Sequence, residues 1–451
     1  MSFLTEPARR TPIGGEYDIV VLGGGPAGIA AAASAARHGR KVLLVERYGF
    51  LGGMGTAAGV TNFCGLHANV FGEIKQVVHG VADDLLARID ALGGLNKPHL
   101  VLGKTYAQAY DTAAYKLAAD ELLAAAKVEL MFHAFAVGAV MESDTRIDAL
   151  LIETKSGRMA MRGQVFIDCS GDGDLAAFAG AAFEKSDMLY PTMMFRIANV
   201  DAAKAGEAWR TIPELMREAE ARGAKFPRKG AIVRPQRHTS EWRVNVTQVK
   251  HPDSRAIDGT DARELSYGET QGRAQVHAFF HFLKGEVPGF ADAYIVDIPP
   301  QLGIRETRRI SGAYRLTAED VTGCASFDDT IGVNGWPLEM HVAGDVVWRW
   351  PDIPASRGYN QLPYRMLIPL DADGRAFDNL LVAGRCASMT HEGQSAARVS
   401  GACFVMGDAA GTAAHLSLAR AVRCPDIAVN ELQSLLRQAS AFLGEDPGAL
   451  R

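Results

Sequence analysis

The stretch that decides the fold is residues 17–56, YDIVVLGGGPAGIAAAASAARHGRKVLLVERYGFLGGMGT. The apolar run Ile19, Val20, Val21, Leu22 reads as a buried strand. It runs into Gly23-x-Gly25-x-x-Gly28 and then an alanine-rich helix, and a second strand, Lys41–Val45, ends at Glu46. Each glycine has its own task. Gly23 permits the tight turn, Gly25 lets the backbone approach a pyrophosphate, and Gly28 lets the helix lie close to the strand. The helix N-terminus offers free N–H groups and the positive end of its dipole to phosphates. Glu46 stands about 20 residues on, where an acid accepts hydrogen bonds from ribose hydroxyls and repels a 2′-phosphate, which argues against NADP. A membrane span through the same apolar residues is disfavoured by the glycines, the flanking charges and the strand–helix–strand order.

The rest of the chain sets the context. With 451 residues it can bury a large core and hold two domains. Apolar residues make up 48% and charged residues 22%, as in ordinary soluble proteins, and a net charge of −5 gives no reason to expect nucleic acid. The first sixteen residues lack the apolar core of a signal peptide. Cys64, Cys169, Cys324, Cys386, Cys403 and Cys424 are scattered without a CxxC pair. That opposes a zinc, iron–sulfur or dithiol centre, and the expectation is reduced thiols in a cytoplasmic protein.

Past Glu46, the Leu51–Thr56 loop has glycines that let backbone pass a bulky planar ligand. Helical spacing of apolar residues predicts an amphipathic helix over 72–92, a second helix, of the core, is expected over 111–126, and 128–169 reads as strands. The last of these runs into Ser170-Gly-Asp-Gly-Asp174 and another alanine-rich helix. A second glycine junction far from the first favours one long cofactor held at both ends. The strand–helix rhythm lapses over 183–297 and returns at 298–321. Residues 325–360 are irregular, with His341, three tryptophans and several prolines. A strand within Asp378–Arg385 then leads through 386–394 into a long helix of small residues, and a polar amphipathic helix over 428–442 ends the pattern.

This order of motifs (GxGxxG with a distant Glu, LGG-x-x-T, IDCSGDGDLAAFAG, GIRETRR, and LLVAGR with GDAAGTAA) resembles the FAD-dependent oxidoreductases with a glutathione-reductase-type FAD fold. It is most similar to a branch that includes heterodisulfide-reductase-like flavin subunits, over most of the chain, and is thinnest in 199–240 and 325–357. The resemblance implies an α/β fold: a Rossmann-type FAD-binding domain (1–182 and 298–451) with an inserted, β-rich α+β substrate domain (183–297), residues 325–360 adding to the substrate pocket. It also implies further FAD contacts. These are Pro26 and Ala27 beside the first glycines, Arg47 after Glu46, and Gly52, Gly53, Met54 and Thr56 in the loop. Phe135 and Ala136, then Ser170, Gly171 and Asp172 at the second junction, follow. Gly384 and Arg385 after the late strand, and Gln394, Ser395 and Ala396 at the start of the last long helix, complete the set. In this kind of fold that helix start faces the flavin ring.

Three departures narrow the reading. The cluster cysteines of heterodisulfide-type subunits are missing. No second GxGxxG unit provides an NAD(P)H domain. No histidine stands in 50–56 to attach FAD covalently, so FAD is expected non-covalent. The expected activity is hydride transfer between flavin N5 and a small anionic organic substrate. The alternatives are a flavin monooxygenase and a non-catalytic FAD-carrying electron-transfer subunit. His391 and His341 are the candidate acid/base residues, with Tyr359 as a further proton donor. Arg305, Arg243 and Arg357 are candidate carboxylate binders, because a guanidinium fork matches a carboxylate, and Cys64 is placed to touch the ligands. The structural alternative for this arginine-rich stretch is an ion pair of Arg308 or Arg309 with Glu306 or Asp320. The expected partner is a small molecule, without nucleic acid or membrane.

Overall fold

The strand Ile13–Leu22 is the axis of the central sheet, and Ile19, Val20 and Val21 on it are fully buried. The computed structural model describes residue 4 and residues 7–185, 189–238 and 240–444. Val42–Val45 pairs in parallel on one side of the axial strand and Gly157–Asp168 on the other. Glu129–Met131 extends the sheet in parallel beyond Val42–Val45, and Leu380–Val382 pairs in parallel with the end of Gly157–Asp168. Strands Phe135–Ser143 and Arg146–Thr154 add an antiparallel wing. Parallel strands buried on both faces need continuous apolar runs and helical cover, which is how these segments are written. The helix Pro26–Arg37 packs on the sheet, and Ser400–Arg420 packs on that helix. Close approach explains the small residues of the second helix. A Cβ on Gly407 would stand 2.0 Å from the Ala27 carbonyl oxygen, and one on Gly411 2.2 Å from that of Ala31. Gly28 has the same reason, since its Cβ would meet the Gly23 carbonyl oxygen at 1.7 Å.

A second hydrophobic core spans Met193 to Ile304. It fills the space between the helix Ala262–Glu286 and an antiparallel sheet in the order Ile232–Pro235, Trp242–Asn245, Phe195–Ala198, Tyr294–Asp297. Along Trp242–Asn245 the side chains alternate: Trp242 and Val244 enter this core, while Arg243 and Asn245 turn to the opposite side.

Two expected helices are redrawn. Within 72–92, Glu73–Gln76 is a strand paired with His67–Val70, and the helix covers only Val81–Ala91. Cross-strand pairing overrides the helical spacing of Ile74, Val77 and Val78. The late helix is split into His391–Ala397 and Ser400–Arg420. Each piece is pressed on a different backbone segment, Gly393 against Leu316 and Gly401 against Gly65, so one straight rod cannot serve both. Among the described residues no helix is long and apolar enough to cross a membrane.

Candidate functional site

A cavity of about 470 Å³ lies between the end of the parallel sheet and the four-stranded antiparallel sheet. One end is built by the two glycine junctions. Gly23, Gly25, Pro26, Ala27, Glu46, Arg47, Gly53, Met54, Ser170, Gly171, Gly384 and Arg385 all reach its wall. The helix that starts at Pro26 has no side-chain cap, and its first internal bond is Ile29 N–H to the Gly25 carbonyl, so the amide donors ahead of it face outward. The Glu46 carboxylate accepts the Gly24 N–H at 2.6 Å and the Tyr48 N–H at 2.9 Å, which holds it at the strand end. Burial raises its pKa, against those N–H groups and the Arg47 charge.

Asp172 stands behind the wall and ties it together. It accepts hydrogen bonds from Arg385 at 2.9 Å and Thr307 at 2.9 Å, with Arg47 at 3.5 Å. Burial opposes its charge, but Arg385 and Arg47 hold its pKa below the ordinary value. Thr56 and Gly52 also act from behind: the Thr56 hydroxyl caps the Leu51 carbonyl at 2.7 Å, and the Gly52 N–H reaches Gly24.

The other end carries an excess of positive charge. Arg228, Arg243 and Arg305 are buried in its wall, and Arg398 joins them from the break between the two late helices. Their partners are mostly backbone carbonyls: Asn245 for Arg228 at 2.8 Å, Tyr190 for Arg305 at 2.7 Å, and Val60 for Arg243. Carbonyls satisfy N–H groups but do not neutralise charge. The Nε atoms of Arg243 and Arg398 are buried with no hydrogen-bond partner among the described residues. Burial lowers the pKa of all four, to about 10 for Arg228, and Arg305 is lowered further by Arg398 and Arg228. The carboxylate on this part of the wall is Glu339, and it is already engaged. Its Oε1 meets His341 Nε2 at 3.1 Å, and its Oε2 accepts the Trp336 indole N–H at 2.9 Å. Burial opposes ionisation of Glu339, yet the hydrogen bonds from His341 and Trp336 and the Arg398 charge hold its pKa below the ordinary carboxylate value. Burial and Arg305 hold the His341 pKa well below its ordinary value, so its ring is neutral. With an ionised Glu339 accepting at Nε2, the nitrogen left to take a proton is Nδ1.

Several expected contacts lie elsewhere. His391 is off the wall: its Nδ1 is 2.9 Å from the buried Glu306 carboxylate, which also pairs with Arg309 and accepts the Leu189 N–H. The expected Arg309–Glu306 ion pair is therefore present, and Arg308 pairs with Asp174 instead. Tyr359 is buried against Phe442, and Arg357 straps the carbonyls of Tyr359, Cys324 and Ala325, so neither reaches the cavity. Phe135 points to solvent at 57% exposure and Ala136 pairs with Ile152 in the antiparallel wing. Gln394, Ser395 and Ala396 belong to the short helix. Gln394 donates to the Arg305 carbonyl and Ser395 to that of Glu392, while Ala396 is fully enclosed. Val399 and Ser400, at the uncapped start of the long helix, take the position on the wall expected of them. Cys64 reaches the wall, but burial pushes its thiol pKa up to about 12, leaving an unreactive thiol. The sequence reading missed Arg228, Glu339, Trp336, Arg398 and the hairpin His99–Leu102. Of these only the Glu339-x-His341 spacing gave a local signal.

The profile of the FAD dependent oxidoreductase family matches residues 18–436. The chain belongs to this family. FAD is its cofactor, and the residues of the first end suit one: an uncapped helix N-terminus for a pyrophosphate, a buried acid at the strand end for ribose hydroxyls, and glycine surfaces for close approach. No curated protein matches the sequence. Among solved structures, a geranylgeranyl bacteriochlorophyll reductase-like protein from Thermoplasma acidophilum is 13% identical, covering 94% of this chain and 84% of its own, with a TM-score of 0.49. A p-nitrophenol 4-monooxygenase from Pseudomonas putida DLL-E4 is also 13% identical, over 96% and 91%, with a TM-score of 0.46. A myxobacterial chondrochloren halogenase is 14% identical, over 94% and 79%, with a TM-score of 0.43.

Proposed function

We propose that this FAD-dependent oxidoreductase moves a hydride to or from an organic anion seated at the arginine-rich end of the cavity. The observation that carries the reading is the cluster of buried Arg228, Arg243 and Arg305 with half-buried Arg398, paired mainly to carbonyls and facing the already engaged carboxylate of Glu339. A bound anion supplies the missing counter-charge, and desolvated guanidinium forks bind it more strongly than water-exposed ones.

Bound FAD supplies a hydride acceptor or donor at flavin N5. The chain's residues do the rest. The helix start at Gly25–Ala27 holds the pyrophosphate, Glu46 holds the ribose, and Arg47 and Arg385 add positive charge there, an arrangement of the glutathione-reductase type. Arg243 and Arg305 orient the substrate's negative group. His341 accepts or returns the substrate proton at Nδ1, and Glu339, itself fixed by Trp336, keeps the imidazole in the tautomer that leaves Nδ1 free. The two sheets line opposite sides of the site.

The test is anaerobic mixing of FAD-loaded protein with organic acids and with their primary amides. The reading expects bleaching of the flavin band by an acid and at least tenfold slower bleaching by its amide. Equal rates for acid and amide overturn it.

A further inference from the structure

We propose that the substrate acid carries an apolar body, and that Leu100, Leu102, Trp348 and Trp336 seat that body while the arginines hold the charged end. The inference rests on the anionic reading above and adds the substrate's second half.

The first observation is a small hydrophobic cluster separate from both main cores. Ala107, Trp336 and Val399 are buried in it, with Val101, Trp348 and Cys64 packed alongside. All six residues stand on the cavity wall, so the cluster forms an apolar strip along the cavity. Trp336 and Trp348 meet edge to face at 6.0 Å between ring centroids. An aromatic strip of this kind suits a hydrocarbon or a ring better than a second charge.

The second observation is independent and lies at the outer end of the strip. The hairpin His99–Val101 to Thr105–Ala109 turns through Leu102 and Gly103, closed by the Lys104 N–H on the Val101 carbonyl at 2.9 Å. Both central residues have positive φ, 49° at Leu102 and 72° at Gly103. Asparagine followed by glycine is the favoured pair for such a turn, and a leucine is disfavoured there. Leu102 is also 61% exposed and Leu100 50% exposed, yet both stand on the cavity wall. A large apolar side chain held in strained backbone and left in water contributes little to folding. It gains a role if an apolar ligand covers it.

The two walls therefore ask for opposite things of one ligand: a negative group at Arg228, Arg243 and Arg305, and a hydrocarbon or aromatic body along Trp336, Trp348 and the hairpin tip. A short polar acid satisfies only the first.

The experiment uses the FAD-loaded full chain titrated with acetate, butanoate, hexanoate and octanoate and with their primary amides. Calorimetry and the shift of the flavin band report binding. Affinity is expected to rise about threefold to fourfold per methylene until the strip is filled, the transfer value of a buried CH₂. Octanamide is expected to bind at least tenfold more weakly than octanoate. A flat series in which acids still outbind amides overturns the apolar seat and leaves the anionic reading standing. Amides that bind as well as acids, or no binding by any acid, overturn the anionic reading and this inference with it. Leu102→Asn separates the seat from a packing role. Asparagine accepts the left-handed backbone, so the melting temperature is expected to hold or rise, while the octanoate-to-acetate affinity ratio falls about threefold to tenfold. A lowered melting temperature with an unchanged ratio makes Leu102 a packing residue and overturns the proposal.

Discussion

Glu46→Gln probes the cofactor end of the cavity with the smallest change of shape. The wild-type carboxylate accepts two backbone N–H groups, Gly24 at 2.6 Å and Tyr48 at 2.9 Å, and reaches the cavity wall. Glutamine keeps one acceptor oxygen and turns an NH₂ toward the other donor. Losing one hydrogen bond to a charged acceptor costs about 1.5–3 kcal/mol. If that loss falls on the ribose hydroxyls, FAD affinity drops roughly 10- to 150-fold. The same substitution loosens the loop in the cofactor-free protein, and pH separates the two effects. Burial raises the Glu46 pKa in the fold, despite the Tyr48 and Gly24 donors. A carboxyl whose folded pKa is raised favours the fold at low pH, and that contribution is lost as pH climbs from the unfolded value of about 4.3 through the folded one. The melting deficit of the cofactor-free variant should therefore shrink from pH 4 to pH 8, while its FAD deficit persists at pH 8. The assay is FAD titration of both cofactor-free proteins by flavin fluorescence, beside melting curves at the two pH values. FAD binding as tight as in the wild type, with only the melting temperature changed, refutes the placement of Glu46 at the ribose. The expected yellow holoprotein should release one FAD per chain with acid or heat, because no covalent attachment is foreseen.

His341→Gln should slow acid-driven flavin bleaching by about 10²- to 10⁴-fold with FAD still bound, as for loss of an acid/base. Because burial and Arg305 keep His341 neutral, the wild-type rate should show no acid limb near pH 6.5, and stopped-flow profiles that fall there contradict the assignment. His391→Ala should leave the bleaching rate per bound FAD unchanged while lowering the melting temperature. Burial works against the His391 charge, but Glu306 raises its pKa, so its contribution to stability is present below about pH 6.5 and lost above the folded value. The melting deficit should accordingly be larger at pH 6 than at pH 9. Val399→Asp puts a carboxylate on the cavity wall and should lower the flavin midpoint potential by repulsion of the reduced cofactor's negative charge. Ala396→Asp buries a charge in a fully enclosed position and should cost the fold instead, which dye-equilibration potentials and melting curves distinguish.

The glycine junctions were legible because the tight turn, the close approach and the strand-end acid each demand particular residue types at fixed spacing. Arg243 was legible only as an arginine. What turns it to the cavity is the alternation of Trp242–Asn245 above its own core, together with the placing of that sheet over the first. The misplacement of Gln394, Ser395 and Ala396 has one cause. A run of small residues gives no sign that the helix breaks at Arg398–Val399, so the helix start was read several residues early, and His391 was carried to the cavity with it. Glu339 had only its spacing to His341 as a signal, and Arg228 and the hairpin His99–Leu102 converge on it from distant segments with no local spacing to announce the meeting. Ile74 shows the opposite failure: its helical spacing was real, but pairing of Glu73–Gln76 with His67–Val70 decided the structure.

The central claim is that buried guanidinium groups present an organic anion to FAD inside this cavity. The most direct measurement compares anaerobic bleaching by an acid in the wild type and in Arg243→Met, each with its FAD content counted. The account predicts one FAD per chain in both and a half-saturating acid concentration raised about 10- to 150-fold in the variant, the loss of one charged hydrogen bond, with a limiting rate nearly unchanged. An Arg243→Met protein that keeps its FAD and saturates at the wild-type acid concentration contradicts it.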